Sequence, residues 1–333
     1  MTDPVARRVE HAISAVAPPQ ASVEHGTPDG PFVQVNINGH RIRAYWLGEG
    51  WPHQVKEAIA RLGAHRPDVF VARRMSPGAR AEAERAGVGW VDESGGAELA
   101  LDWLVIARTG SQLPYERPTG WTPSVLGVAE ALLVGTKPTV ADTVEATGLS
   151  VDTCTRALAF FTESGFLAAQ ARRGPTSARR LVNPDRLLDE YASAAASHRR
   201  LEARIGVIWS DPISGVAELG HHWDTAGIEW AATGAVAAAV TAPFLTDIGT
   251  AEVYVPGETV HDLHRTAESA SARPLEGGRL ILRPFPSMAT SRLSKRMDDL
   301  NVVPWPRVYA DLLVIGVRGE DAAEHLREVM NAG

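Results

Sequence analysis

The chain has 333 residues and a mass of 35.7 kDa, with 44% hydrophobic and 22% charged residues and a formal charge of −7. That length exceeds most single hydrophobic cores and predicts three domains, and the composition excludes a disordered or fibrous chain. The acidic balance excludes a protein that coats nucleic acid indiscriminately, so any contact with a polyanion has to be local. One cysteine, Cys154, allows no intrachain disulfide, and residues 1–19 carry Arg7 and Arg8 without the continuous apolar run of a secretory signal. A cytoplasmic protein is expected. The most apolar run, 230–245, is short and rich in Ala, Gly and Thr, and reads as a buried helix rather than a membrane span.

In chain order, an amphipathic helix is expected near the start, with Val5, Val9, Ile13 and Val16 on one face, followed by an Ala-, Pro- and Gly-rich loop to Pro31. Residues 32–47 alternate with period two across Asn38-Gly39, which predicts a hairpin, since both residues tolerate the positive φ of a tight turn. A helix over 52–62, a buried strand at 68–72, a helix over 77–86 and strands at 88–91 and 99–107 complete an α/β domain with a mixed sheet, residues 1–110.

Residues 108–122 shift to Gly, Ser, Pro and Thr and read as a linker. Three helices follow: 124–133, with Val125, Val128, Ala129, Leu132 and Leu133 on one face; 140–146, capped by Thr139 and ending at Gly148; and a third after the cap Ser150, with Cys154, Ala157, Leu158 and Phe161 at helical spacing. Two short strands, 166–169 and 180–182, would close a wing, so 118–192 reads as a central winged helix-turn-helix. Beyond it, a connecting helix over 187–208, a helical stretch over 211–239, strands at 251–255 and 279–283, a helix over 260–270 and terminal segments at 307–316 and 322–330 predict a second α/β domain, 205–333. The fold class is therefore multidomain α+β.

The candidate site lies in the central domain. On the third helix, Ser150, Thr153, Thr155 and Arg156 are polar and not needed for its core; Arg156 could bridge guanine O6 and N7 from the major groove, and Thr could meet a thymine methyl or a phosphate. In the wing, Arg172, Arg173, Arg179 and Arg180 flank a turn containing Thr176 and Ser177, suited to phosphate or the minor groove. Five basic residues stand against one acid between Gln170 and Arg186, a local balance of +4 in an acidic chain. These residues predict double-stranded DNA as partner. A homodimer is expected from the two-fold symmetry of operators, and no catalytic residue, metal or cofactor is expected. Cys154 reads as core rather than redox switch, His221-His222 and His261-X-X-His264 as solvated or capping rather than metal-ligating, and the basic segment 291–296 as a solvated helix face.

The run from Asp68 to Gly95, which opens Asp-Val-Phe-Val-Ala-Arg-Arg-Met-Ser-Pro-Gly, then the winged helix, then Trp230-Ala-Ala-Thr-Gly-Ala-Val-Ala-Ala, resembles actinobacterial regulators similar to the AbiEi antitoxin family of type IV toxin–antitoxin systems. The likeness is one of domain order and loose pattern over most of the chain. It implies promoter binding and transcriptional repression, often of an operon shared with a nucleotidyltransferase-like toxin. It leaves open an antitoxin-type binding module that neutralises a toxin partner.

The N-terminal domain also resembles the restriction-endonuclease-like fold, whose working members need a strand-end Asp and a following (Asp/Glu)-X-Lys to hold Mg²⁺ and activate water. Asp68 follows Pro67 here, but no Glu-X-Lys follows on a strand. Arg73 and Arg74 stand at the basic end, and Asp92, Glu93 and Glu98 are stray carboxylates. The C-terminal domain compares likewise with nucleotidyltransferases, which place Gly-Ser at a helix start and Asp-X-Asp on the next strand. Gly234-Ala235 and Glu252-Val253-Tyr254 stand there instead. Both outer domains are expected to be inactive, with a metal-dependent nuclease as the remaining alternative.

Overall fold

A computed structural model describes residues 4–101, 103–109, 120–169, 179–197, 201–245 and 247–332. The chain divides into two compact units, Met1–Glu116 and Arg117–Gly333.

The first unit runs α1 (Pro4–Val16), β1 (Val23–Asp29), β2 (Phe32–Ile37), β3 (His40–Gly48), α2 (Pro52–Leu62), β4 (Val69–Ala72), α3 (Pro77–Arg85), β5 (Gly89–Asp92), β6 (Ala97–Leu101) and β7 (Leu104–Arg108). Its strands form one sheet in sequence order, parallel only at β3–β4–β5. Alternation decides which core each side chain joins. Val69 and Val71 of β4 face α1, with Val9 and Ile13, whereas Phe70 and Ala72 face α2 and α3, with Val55, Met75 and Ala83. The hairpin at Asn38 (φ 50°) and Gly39 (φ 83°) forms as the dipeptide predicts.

Two expectations are corrected in this unit. The loop up to Pro31 contains the edge strand β1, hidden by Gly26 and Pro28 and by a register shift between Glu24 and Thr27. The strand expected at 99–107 is a hairpin: Leu101 pairs with Leu104, so the apolar run folds back on itself as β6 and β7.

The second unit begins with α4 (Pro123–Leu133), α5 (Val140–Thr147), α6 (Val151–Glu163), β8 (Leu167–Ala169) and β9 (Arg179–Leu181), three helices and a pair of short strands in the order the sequence predicts. It continues through α7 (Pro184–Ser197), β10 (Ala203–Gly206), α8 (Pro212–Thr225), β11 (Ala231–Thr233), α9 (Gly234–Thr241), β12 (Ala251–Val255), α10 (Val260–Ser269) and β13 (Arg273–Pro274). It ends with β14 (Leu280–Pro284), α11 (Met288–Leu293), β15 (Lys295–Met297), β16 (Leu300–Val302), α12 (Trp305–Leu312) and α13 (Val317–Ala332). The sheet order is β13-β10-β14-β12-β11-β16-β15.

Two helices expected here are broken. The connecting helix stops at Ser197, because Ala203 and Ile205 are claimed by pairing with β14. The stretch 211–239 is interrupted at Gly227 (φ 67°) and again at Gly234 (φ 58°), which lets β11 enter the sheet between α8 and α9. Among the described residues, no helix is long and apolar enough to cross a membrane.

The segment α4–β9 is fastened to this sheet by a tight seam between α4 and α11. A Cβ on Gly127 would lie 2.5 Å from the Ala289 Cβ and 2.9 Å from the Ser287 Oγ, so only glycine allows this approach. One turn on, Glu130 is fully buried and accepts from the Tyr191 hydroxyl of α7 at 2.6 Å and the Thr290 hydroxyl of α11 at 2.8 Å. From α13, Arg327 reaches Asp185 at 2.9 Å and Asp189 at 3.5 Å on α7.

Gly127→Ala is expected to destabilise the unit by about 1–3 kcal/mol, the usual cost of overpacking a close contact, and Gly127→Ala with Ala289→Gly to recover part of it relative to the sum of the single changes. Urea denaturation of the four proteins checks the coupling. Burial raises the Glu130 pKa above its ordinary 4.5, with Arg307 and the two hydroxyl donors opposing the shift. A group raised in the folded state contributes fully below its unfolded pKa and loses that contribution as pH rises through the raised value. The wild type is therefore expected to lose stability relative to Glu130→Gln as pH rises above 4.5. A urea-midpoint difference that stays constant with pH would refute this.

Candidate nucleic-acid interface

The helix-turn-helix is built from caps. Thr139 accepts from the Asp142 backbone N–H at 3.1 Å to start α5, Gly148 (φ 69°) ends it in the left-handed region, and Ser150 accepts from the Thr153 backbone N–H at 3.2 Å to start α6. The inner face of α6 buries Cys154, Ala157, Leu158 and Phe161. Trp121 closes the base, its ring centroid 5.7 Å from Phe160, 5.6 Å from Phe161 and 6.3 Å from Phe166. Cys154 sits in this core beside the Thr147 hydroxyl, and burial pushes its thiol pKa up, which disfavours the reactive thiolate.

The outer face of α6 is polar. Ser150 is committed as the cap, its Oγ 2.8 Å from the Thr153 Oγ1, and the Thr155 hydroxyl donates back to the Val151 carbonyl at 2.7 Å. Thr153 is half-buried, whereas Thr155 and Arg156 are exposed. Arg156 pairs with Asp152 at 2.6 Å, both side chains about three-quarters exposed (74% and 76%). An exposed pair of this kind contributes at most about 1 kcal/mol, so the guanidinium is readily released to another acceptor.

In the wing, Arg180 is exposed and Arg179 half-buried, opposite Ala168 and Ala169 on β8. Arg172, Arg173, Thr176 and Ser177 lie outside the described residues. Arg186 is held at the wing's base, its guanidinium 4.8 Å from the Phe166 ring and 3.1 Å from Glu190.

One basic residue at this motif escaped the site reading. Arg292 of α11 packs its side chain where a Cβ on Gly148 would be 3.2 Å away, and its Nε donates to the Glu145 carbonyl at 3.2 Å, capping the end of α5. The segment 291–296 is exposed or half-buried throughout, but it is not one helix face: α11 ends at Leu293 and Lys295 starts β15, and Arg292 buttresses the turn between α5 and α6. Only tertiary contact places it there.

The carboxylates that resembled catalytic ligands have other partners. Asp68 accepts from the Arg43 backbone N–H at 2.7 Å. Asp92 is fully buried and accepts from the N–H groups of Met75, Ser94 and Gly96 at 3.0–3.1 Å, and Glu93 pairs with Arg8 at 2.7 Å. In the second unit, Gly234 does open a helix beside Glu252 on the adjacent strand, but Arg283 forms a buried ion pair with that carboxylate. Tyr254, two residues on, donates its hydroxyl to Asp311 at 2.9 Å. Among the described residues, no group of three or more His, Cys, Asp or Glu is arranged to hold a metal.

No curated protein and no solved structure matches the chain. The run 68–95 and helices α4–α6, which carried part of the resemblance in the sequence, lie outside the family match, while Trp230–Ala238 lies within it. That match spans residues 180–331, from within β9 to the last turn of α13, and makes this stretch similar to the AbiEi_2 family, described as "Transcriptional regulator, AbiEi antitoxin, Type IV TA system".

Proposed function

We propose that the protein is a sequence-specific DNA-binding transcriptional repressor that reads the major groove with α6 and grips phosphate or the minor groove with its arginine wing. The observation that carries this reading is the outer face of α6, where Thr155 and Arg156 are exposed on a helix whose inner face is locked into a core. The family description supports a regulator or antitoxin role. Asp152 sharpens selectivity: its charge repels phosphate, so Arg156 gains most where a guanine edge replaces the carboxylate. Repression by a homodimer on a two-fold operator follows the same logic, and light scattering of the protein on DNA tests it.

In this reading the outer domains are decayed relatives of an endonuclease and a nucleotidyltransferase. The internal pairing of Asp92 and of Glu252 supports it, because a carboxylate bound by N–H groups or arginine is a poor metal ligand. The family description also favours a second reading, an antitoxin that neutralises a toxin partner. Wing variants that lose DNA but still protect cells expressing the neighbouring toxin would favour it.

After genome-wide mapping of bound sites, Arg156→Ala is expected to weaken the strongest site by about 1–3 kcal/mol while changing affinity for scrambled duplex little. Replacing Arg172, Arg173, Arg179 and Arg180 together by Ala should weaken both duplexes and flatten a log K against log salt slope of about −3.6, the value for four phosphate contacts. Fluorescence anisotropy across a salt series measures both, and a wild type that binds no promoter fragment at low salt defeats the reading.

A further inference from the structure

The cavity where the three-helix segment meets the C-terminal sheet is lined by none of the residues assigned above to DNA contact. It measures about 190 Å³, less than the roughly 300–1,000 Å³ of sites for drug-sized ligands. Leu126 of α4 lines one side and Ala195 of α7 another, while Tyr254 and Phe285 stack with centroids 5.9 Å apart and an interplanar angle of 27°. Three prolines add to its apolar wall.

Its polar groups are few and almost all engaged. Arg283 is committed to Glu252 and Glu202, and the Tyr254 hydroxyl to Asp311. Arg307, its side chain 4% exposed, donates from Nε and Nη2 to Asp311 at 3.0 and 2.6 Å. Arg307 lines the cavity, and among the described residues its Nη1 has no hydrogen-bond partner. Among the described residues, two guanidinium charges face three carboxylates, Glu202, Glu252 and Asp311. An entering anion would meet a surplus of negative charge and lose its hydration for a single donor.

We propose that this cavity binds a compact, uncharged molecule with an apolar body and one carbonyl-type acceptor, held by Arg307 Nη1 and packed beside Tyr254 and Phe285. The site stands whether or not α6 touches DNA.

Acetophenone is the probe, titrated into the full-length protein by ligand-observed NMR and calorimetry, with toluene and benzoate as comparisons. Saturable binding of acetophenone is expected, about tenfold tighter than toluene, the worth of one hydrogen bond from a charged donor, and at least tenfold tighter than benzoate. Leu126→Phe and Ala195→Leu fill the cavity from two sides, and each folded variant should lose at least tenfold. Far-UV circular dichroism and thermal melts identify which variants are folded. Absence of saturable acetophenone binding by the wild type, equal binding of benzoate, or wild-type affinity in a folded filled variant would each overturn the proposal. If both variants fail to fold, the three-ligand ranking on the wild type decides.

Discussion

The close approach of α4 to α11 is the constraint from which the rest of the second unit follows. Gly127 admits the contact and Glu130 makes it specific, because a fully buried carboxyl has to find its two hydroxyl donors, Tyr191 and Thr290, in one arrangement of three helices. An apolar seam alone would tolerate sliding or rotation of the helix pair. A polar group sealed inside it penalises every register but one, since any shift leaves Glu130 without partners. The orientation of α6 and of the wing relative to the sheet is inherited from that registry.

The same logic of satisfied buried charge runs through the carboxylates that the sequence set beside catalytic ligands. A catalytic carboxylate needs a free lone pair aimed at a metal or substrate, and a site that keeps one tolerates the accompanying repulsion. Here Arg283 neutralises Glu252, Arg307 pairs with Asp311, and backbone N–H groups surround Asp92. Each pairing fixes local structure: Asp92 organises the turn from Glu93 to Gly96, and Asp311 gathers Thr233, Tyr254 and Arg307 at the end of the sheet.

Much of this fold was legible in sequence wherever a local signal agreed with its tertiary use. Asn38-Gly39 announced the hairpin, and Thr139, Gly148 and Ser150 announced the ends of α5 and α6, because caps and turns are decided by a few neighbouring residues. The failures share a cause. Residues 203–206 suit a helix as well as a strand, and only the free edge of β14 chooses between them. Gly227 and Gly234 were visible breaks inside an Ala-rich run, yet the partners that make β11 a strand, β12 and β16, lie far along the chain. Of the candidate site, α6 showed its outward face through the spacing of its core residues, whereas Arg292 carries no local sign that it supports the turn 147 residues earlier.

That dependence bears on how the two halves of the second unit relate. The residues that receive the helix-turn-helix, namely Ala289, Thr290 and Arg292, lie inside the family-matched span, while Gly127, Glu130 and Gly148, which they contact, lie before it. The matched region therefore carries a socket, and the unmatched helices carry the plug. Three features mark the fit: a glycine for approach, a buried carboxyl for register and a positive-φ turn that leaves room for the arginine. A helix-turn-helix that kept those three features could vary its exposed residues, including Thr155 and Arg156, with little effect on docking, because its outer face shares no side chain with the seam. The exposed residues of α6 and the docking contacts are thus carried by different side chains of the same three-helix unit.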